Sequence, residues 1–203
     1  MTQTRVLLLH GMSPRNSAHW LWPLGESLRS RGVPVQFPLL PQCAAPDLDA
    51  WRQVALQELE MLGDGDRVVV AHSLGTVLWC LMGADLPDHL KVSRVLLVAP
   101  PTPHELVDAV SSFRCDDDVM GVGAAAGAGA VTVIGRESDP HRTQSLASLT
   151  RGWRADVHEL PGAGHLNPAD GHGPLPWALE WVLGTSAPPS LGPEAFDLAA
   201  VQA

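Results

Sequence analysis

The sequence predicts a single α/β domain in which a parallel sheet carries helices on both faces. Short aliphatic runs, such as the one within residues 5–10, are continuous rather than alternating, which is typical of strands buried on both faces. Segments of helical length lie between these runs, and clusters of Gly, Pro and Asp separate the two kinds of segment. Repeated strand–helix units with right-handed crossovers produce a parallel sheet of this kind.

The predicted sheet has about six strands. The runs that define them lie at residues 5–10, 33–37, 67–71, 94–99, 130–134 and 155–160. If the second strand lies on one side of the first and the third on the other, the strand order is 2-1-3-4-5-6. Ligands bind where such an order reverses, so we expect the site in the crevice outside the carboxyl ends of strands one and three.

The helices are predicted from capping residues and from one-sided apolar spacing. The clearest helix begins at Asp47 or Asp49 and ends before Gly63. Its apolar face is formed by residues three and four positions apart, Leu48, Trp51, Ala55, Leu59 and Leu62. The other helices are predicted from a cap at Asn16 or Ser17 to about residue 31, and over 74–82, 141–150 and 174–183. Trp51 of the clearest helix and the two tryptophans of the last helix, Trp177 and Trp181, are expected in the core.

Two stretches fall outside this pattern. Residues 121–129 consist of Gly, Ala and one Val, and we predict a flexible loop there. Residues from about 184 onward are rich in Pro, Ala and Ser and are predicted to form a loose tail. The single domain is therefore expected to cover residues 1–183.

Composition argues against several functions. The 203 residues carry a net charge of -9 and no cluster of Lys or Arg, which argues against nucleic acid or an anionic membrane as a partner. No apolar stretch approaches the length of a membrane span, and the N-terminal run is too short for a signal peptide, so we expect a cytoplasmic protein. The odd set of cysteines, Cys43, Cys80 and Cys115, predicts free thiols. We expect no cofactor, and the sequence is compatible with a monomer or a dimer.

The strongest local signal surrounds Ser73, in the segment Ala71-His72-Ser73-Leu74-Gly75 between an aliphatic strand and an apolar helix. A serine in a tight strand-to-helix turn projects its hydroxyl above the sheet, and the turn requires small residues two positions before and after it. Ala71 and Gly75 meet that requirement, and the helix N-terminus can stabilise developing negative charge. The pattern predicts a nucleophilic serine.

A serine hydroxyl needs a general base, and His165 is the strongest candidate among nine histidines. It lies in a glycine-rich loop directly after the sixth predicted strand, at the same edge of the sheet as Ser73. His172 is the nearest rival but lies farther along a predicted surface loop. A metal site built from His165, Asp170 and His172 is a further alternative, but its spacing matches no usual ligand motif, so we expect no metal.

The acid that orients the base is expected after the fifth strand, where both Glu137 and Asp139 are available. We select Asp139 because Pro140 can begin the next helix and so fix the aspartate at the end of the loop. Its alternative role is that of a simple helix cap. The resulting chain order, Ser73 then Asp139 then His165, is the order of hydrolases in which the serine lies on such a turn.

Two backbone N–H groups are expected to form an oxyanion hole. One belongs to Leu74, directly after the serine, and the other to Met12, in the loop after the first strand. Gly11 allows the backbone to turn there. Residues near this loop are predicted to contact the substrate or to line its pocket, namely His10, Gly11, Trp20 and Trp22.

These motifs resemble those of the compact RBBP9/YdeN-type serine hydrolases of the α/β-hydrolase superfamily. The matching segments are His10-Gly11, His19-Trp20, residues 71–75, Ser138-Asp139-Pro140, residues 162–167 and residues 171–177. The resemblance spans about residues 5–183. It implies a compact α/β-hydrolase fold without a large lid, activity on small-molecule esters, and Ser73, Asp139 and His165 as the catalytic triad.

The function expected from these residues is a serine esterase that forms an acyl-serine intermediate. A thioesterase or an amidase would use the same three side chains. A binding module that keeps the fold without turnover is the alternative from a different class, and labelling by a fluorophosphonate probe separates it from an enzyme.

Overall fold

The computed structural model describes residues 3–12 and 17–184. Six strands occur, at Thr4–Leu9 (β1), Val35–Gln36 (β2), Asp66–His72 (β3), Val92–Val98 (β4), Ala128–Ser138 (β5) and Asp156–Ala163 (β6). The α-helices of this part of the chain are Leu21–Ser30 (α1), Leu48–Met61 (α2), Leu74–Gly83 (α3), Asp117–Gly127 (α4), Leu146–Leu149 (α5) and Pro176–Leu183 (α6). Short 3-10 helices lie at Asp88–Leu90, Pro103–Glu105, Asp108–Phe113 and Pro168–Asp170.

The six strands form one open sheet in the order β2-β1-β3-β4-β5-β6, and every neighbouring pair is parallel. The order reverses at β1, because β2 lies on one side of it and β3 on the other. The carboxyl ends of β1 and β3, which lead to Gly11 and Ser73, therefore lie side by side. The predicted fold class and strand order are confirmed. The connection between β4 and α4 covers residues 99–116, contains two of the 3-10 helices and forms no large lid.

Successive side chains of each strand point to opposite faces of the sheet, and helices cover both faces. Leu7 faces the layer formed by α2, α3 and α4, whereas Val6 faces α1 and α6. The tryptophans expected in the core lie in these layers, with Trp51 and Trp177 buried and Trp181 half-buried. Burial of aromatic area on both faces of the sheet stabilises the fold, and none of these three residues lines the cavity described below.

The prediction of a flexible loop over residues 121–129 is wrong, because Asp117–Gly127 forms helix α4. The small residues allow α4 to pack closely against α3. A Cβ atom added to Gly123 would lie 1.7 Å from the carbonyl oxygen of Cys80, and one added to Gly83 would lie 2.2 Å from that of Gly123. The glycines in this segment therefore allow two helices to approach closely, and they do not make the segment flexible.

The helix predicted over residues 141–150 is present only as Leu146–Leu149, with Ser145 as its side-chain cap. The residues before it form a loop whose shape is fixed by Arg142, since its Nε donates to the carbonyl oxygen of Gln144 at 2.9 Å. The predicted helix is therefore replaced over residues 141–145 by a loop that the buried Arg142 side chain stabilises.

Two predictions concern residues that the structure does not describe. Asn16, the predicted cap of the first helix, lies outside the described ranges, as do residues 185–203 of the predicted tail. Helix α1 begins at Leu21, later than expected. Within residues 3–12 and 17–184, no helix has the length and apolar character needed to span a membrane. The three cysteines are free thiols.

Candidate active site

Ser73 occupies a strained turn between β3 and α3. Its backbone angles are φ 55° and ψ −126°, and a non-glycine residue held in such a sparsely populated region costs on the order of 1–3 kcal/mol. The turn is held by neighbouring groups, because the Ser73 N–H donates to the carbonyl oxygen of Val98 at 3.0 Å. The Thr76 N–H and hydroxyl both donate to the Ser73 carbonyl oxygen, at 2.8 and 2.6 Å.

The small residues around this turn are required by close packing against the loop after β1. A Cβ atom on Gly75 would lie 2.7 Å from the carbonyl oxygen of Leu9 and 2.8 Å from that of His10. A Cβ atom on Gly11 would lie 2.8 Å from the Cβ of Ser73. The loop after β1 and the serine turn are therefore in direct contact, as the sequence motifs predict.

His165 and Asp139 lie beside the serine hydroxyl. The Nε2 of His165 is 2.7 Å from Ser73 Oγ, and its Nδ1 is 2.8 and 2.9 Å from the two carboxylate oxygens of Asp139. Because a carboxylate only accepts hydrogen bonds, Nδ1 carries the proton and Nε2 is free to accept from the hydroxyl. Both side chains are almost completely buried, at 5% and 0% exposure.

The loops that carry these two side chains are held by backbone bonds. The Asp139 carboxylate also accepts from the His141 N–H at 2.9 Å, and the His165 N–H donates to the Asp170 carboxylate at 2.5 Å. The Gly164 N–H donates to the carbonyl oxygen of Ser138 at 2.8 Å, which joins the two loops directly.

The two rival residues lie elsewhere. The carboxylate of Glu137 accepts from the Gly162 N–H at 3.2 Å on the exposed side of the loop, and it makes no contact with His165. His172 is buried apart from the serine, and burial together with Arg136 lowers its pKa to about 4. Asp170 is engaged with the backbone of His165, and no group of three metal-ligating side chains occurs within the described part of the chain.

Two further imidazoles form a hydrogen-bonded chain that ends at the loop of His165. The Leu21 N–H donates to Nδ1 of His19, so the His19 proton is on Nε2, 3.3 Å from Nδ1 of His72. Nε2 of His72 then donates to the carbonyl oxygen of His165 at 2.9 Å. Burial lowers the pKa of His19 to about 4 and that of His72 well below its usual value, so both imidazoles are neutral.

The proposed oxyanion donors lie at the same cavity as the serine. Leu74 is the first residue of α3, so its N–H has no carbonyl partner within the helix. Met12 follows the Gly11 loop and, like Leu74, lines the cavity. His10 fixes this loop, because its Nε2 accepts from the Leu40 N–H at 2.9 Å and its Nδ1 donates to the carbonyl oxygen of Gly11 at 2.6 Å.

The expected contact between Trp20 and the substrate is not supported by the structure. Trp20 is 1% exposed, its indole N–H donates to the carbonyl oxygen of Leu166 at 3.0 Å, and it does not line the cavity. Trp22 also lies away from the cavity, with its ring 4.9 Å from that of Phe37. Trp20 is buried and Trp22 half-buried, so both contribute apolar area to packing rather than to the cavity.

The cavity above Ser73 has a volume of about 470 Å³. Part of its wall comes from the segment after β4, which the sequence analysis did not assign to the site. These wall residues are Pro101, Thr102, Glu105, Leu106, Val107 and Val110. Their position after the carboxyl end of a central strand is the signal that could have identified them.

The buried neutral histidines predict a loss of stability in acid. A pKa of about 4 in the folded protein, for His19 and His172, lies below the value near 6.5 of the unfolded chain. As pH falls below 6.5 the unfolded chain therefore binds protons first. Each group should cost roughly 2 kcal/mol of the free energy of unfolding between pH 7 and pH 5. Urea unfolding at both pH values measures this loss.

The matched variants for this measurement are His19→Asn and His89→Asn. The first removes a buried imidazole and should reduce the difference between the free energies of unfolding at the two pH values. The second removes a side chain that is 64% exposed and 3.0 Å from Glu60, and it shows the effect of replacing a histidine on the surface. Equal pH dependence in His19→Asn and the wild type would contradict the assignment of a neutral buried His19.

Comparison with known proteins gives a consistent result. The family model described as serine hydrolase matches residues 6–183. The ydeN gene product of B. subtilis is 20% identical and superposes with a TM-score of 0.74, covering 90% of this chain and 98% of its own. A YdeN-like hydrolase from Pectobacterium atrosepticum is also 20% identical, with a TM-score of 0.68 and 90% of each chain covered. Est1E from Butyrivibrio proteoclasticus, with ferulic acid bound, is 15% identical, with a TM-score of 0.62 and coverage of 89% and 87%. A search of curated proteins found no match.

Proposed function

Because this chain belongs to the serine hydrolase family, we propose that it hydrolyses small carboxylic esters through an acyl-serine intermediate. Ser73 is the nucleophile, His165 the general base, and Asp139 the carboxylate that orients the imidazole. The observation that carries the proposal is the continuous contact from Ser73 Oγ through His165 to Asp139, with separations of 2.7 and 2.8 Å.

The reaction proceeds in two balanced steps. Ser73 Oγ attacks the ester carbonyl carbon while its proton passes to Nε2 of His165, and the resulting imidazolium returns that proton to the departing alcohol oxygen. A water molecule then attacks the acyl-serine and gives a proton to Nε2. That proton returns to Ser73 Oγ as the carboxylic acid leaves. Asp139 stabilises the transient imidazolium in both steps.

The negative charge that develops on the carbonyl oxygen would be bound by the N–H groups of Leu74 and Met12. Leu74 lies at the N-terminus of α3, whose unpaired N–H groups favour an anion. His10 supports this role indirectly, since its bond to the Gly11 carbonyl oxygen fixes the loop that carries the Met12 N–H.

The cavity favours a neutral substrate of modest size. Its volume of about 470 Å³ lies at the lower end of the range of small-molecule sites, roughly 300–1,000 Å³. Leu106, Val107 and Val110 provide an apolar wall, and Glu105 is a carboxylate among the lining residues. Similar folds occur in proteins described as an esterase domain and a monoacylglycerol lipase, which agrees with ester chemistry.

A substrate panel tests the proposal. We expect kcat/KM to be highest for a neutral butyrate ester, and lower for a thioester and an amide that carry the same acyl group. A higher kcat/KM for the thioester or the amide would show that the bond type is assigned wrongly.

The acyl charge provides an internal control for the same panel. An ester of a dicarboxylic acid, whose acyl group ends in a carboxylate, should react more slowly than a neutral ester of equal length because of Glu105. In Glu105→Gln that difference should narrow while the ranking of ester, thioester and amide stays the same. If Glu105→Gln leaves the difference in rate between the charged and the neutral ester unchanged, Glu105 does not contribute to substrate selection.

A further inference from the structure

A buried guanidinium lies directly behind the acid of the proposed triad. The side chain of Arg142 is 0% exposed, as is that of Asp139, and its Nη1 is 4.0 Å from the Asp139 Oδ2 that faces His165. A buried charge is unfavourable unless it is paired and hydrogen-bonded. The position of Arg142 therefore requires compensation by the groups around it.

Those groups are backbone carbonyls and a second carboxylate. Nε of Arg142 donates to the carbonyl oxygen of Gln144 at 2.9 Å, and Nη2 donates to the carbonyl oxygen of Arg136. Nη2 also lies 3.7 Å from Glu159 Oε1. The four side chains of Glu159, Arg142, Asp139 and His165 therefore form one continuous row of charged and polar groups. The guanidinium is thus fixed in orientation, with the negative groups on two sides.

The remaining nitrogen, Nη1, has no hydrogen-bond partner within the described residues and acts on Asp139 through its charge alone. Gly135 leaves space for it, since a Cβ atom there would lie 3.0 Å from Nη1. Burial lowers the pKa of Arg142, and Asp139 and Glu159 oppose that effect, so the group stays cationic.

We propose that Arg142 is a positioning residue whose fixed positive charge behind Asp139 sets the pH at which His165 becomes available as a base. This inference rests on the proposed triad. Arg142 partly neutralises Asp139, so His165 releases its proton at lower pH than it would beside Asp139 alone. The hydrogen bonds to the carbonyl oxygens of Arg136 and Gln144 also hold the loop that carries Asp139.

Other titratable groups surround the pair, and most of them are neutral. Burial lowers the pKa values of His19, His72, His141 and His172. The ring of His141 lies 4.4 Å from that of His165. The charged groups near the pair come from β5, β6 and the loops beside them, namely Arg136, Glu137, Arg142, Glu159 and Asp170. Among these five charged residues, Arg142 is the one whose side chain is fully buried and lies next to Asp139.

The test compares charge changes of opposite sign. Arg142→Met removes the positive charge. The acid limb of the pH–rate profile, which is the range in which the rate rises as His165 loses its proton, should then move to higher pH by about one unit. Glu159→Gln removes a negative charge and should move the limb down by a few tenths of a unit, a smaller shift because Glu159 is 32% exposed. The amide oxygen of Gln can still accept the Leu146 N–H, which Glu159 binds at 2.9 Å. Arg142→Lys keeps the charge and should leave the limb near its wild-type position.

The limb is measured as the pH dependence of the rate of Ser73 labelling by a fluorophosphonate, and of kcat/KM for a butyrate ester. Structural damage lowers rates in every variant but does not move the limb in opposite directions. An unmoved limb in a folded Arg142→Met protein overturns the proposal, as does an upward shift in Glu159→Gln. If Arg142→Met does not fold, Arg142→Gln, which also removes the charge but keeps N–H donors for the carbonyl oxygens, is measured in its place, and an unmoved limb there overturns the proposal. A wild-type protein that is not labelled at Ser73 overturns the proposed function as well, whereas normal labelling with unmoved limbs overturns only the role of Arg142.

Discussion

Replacing Ser73 by Ala should lower the turnover of a butyrate ester by roughly 10⁴- to 10⁶-fold and abolish labelling by a fluorophosphonate. The variant removes the oxygen that would attack the carbonyl, while His165, Asp139 and the proposed oxyanion donors keep their positions. KM should change little because the cavity wall is intact. Steady-state kinetics on the purified variant, with labelling followed by intact mass, measures both effects.

The matched control is Ser30→Ala, because Ser30 is an exposed serine at the end of α1. It should keep wild-type turnover and a single labelled site. The fold of Ser73→Ala is checked by its urea midpoint, which should stay close to that of the wild type, since Ala retains the Cβ that packs against Gly11. Substantial turnover by a folded Ser73→Ala protein would exclude Ser73 as the nucleophile.

Much of this architecture could be predicted because the relevant signals are local. Continuous aliphatic runs indicate strands of a parallel sheet, and the small residues around Ser73 are a steric requirement of its turn. The strand order then places the loop after β1 beside the serine, without knowledge of any side-chain contact. The position of His165 beside Ser73 was likewise predictable, because His165 follows the last strand at the same edge of the sheet.

The features that were missed depend on contacts between distant segments. Helix α4 resembles a flexible loop in sequence, since glycine lowers helix propensity, but its glycines allow contact with Cys80 of α3. Trp20 looks like a residue of the pocket because it follows the loop after β1, yet its indole is bonded to Leu166, far along the chain. The buried position of Arg142 behind Asp139 has no signal in the sequence at all.

The second large effect on activity is expected at Asp139, which we selected over Glu137 as the acid that orients His165. Asp139→Asn should lower kcat/KM by on the order of 10⁴-fold. The Asn side-chain oxygen can still accept the His141 N–H, which Asp139 binds at 2.9 Å, so the loop is retained. Its NH₂ group then faces Nδ1 of His165 and forces the imidazole proton onto Nε2. In that tautomer Nε2 cannot accept the proton of Ser73.

Glu137→Gln is the matched variant, and we expect its kcat/KM to stay within about twofold of the wild type. Glu137 is exposed and bonded to the Gly162 N–H, a contact that the amide oxygen of Gln preserves. The two variants remove the same charge two residues apart, so only the geometry around His165 separates them. A large loss in Glu137→Gln together with full activity in Asp139→Asn would transfer the orienting role to Glu137. Comparable small losses in both would mean that neither carboxylate holds the imidazole during turnover.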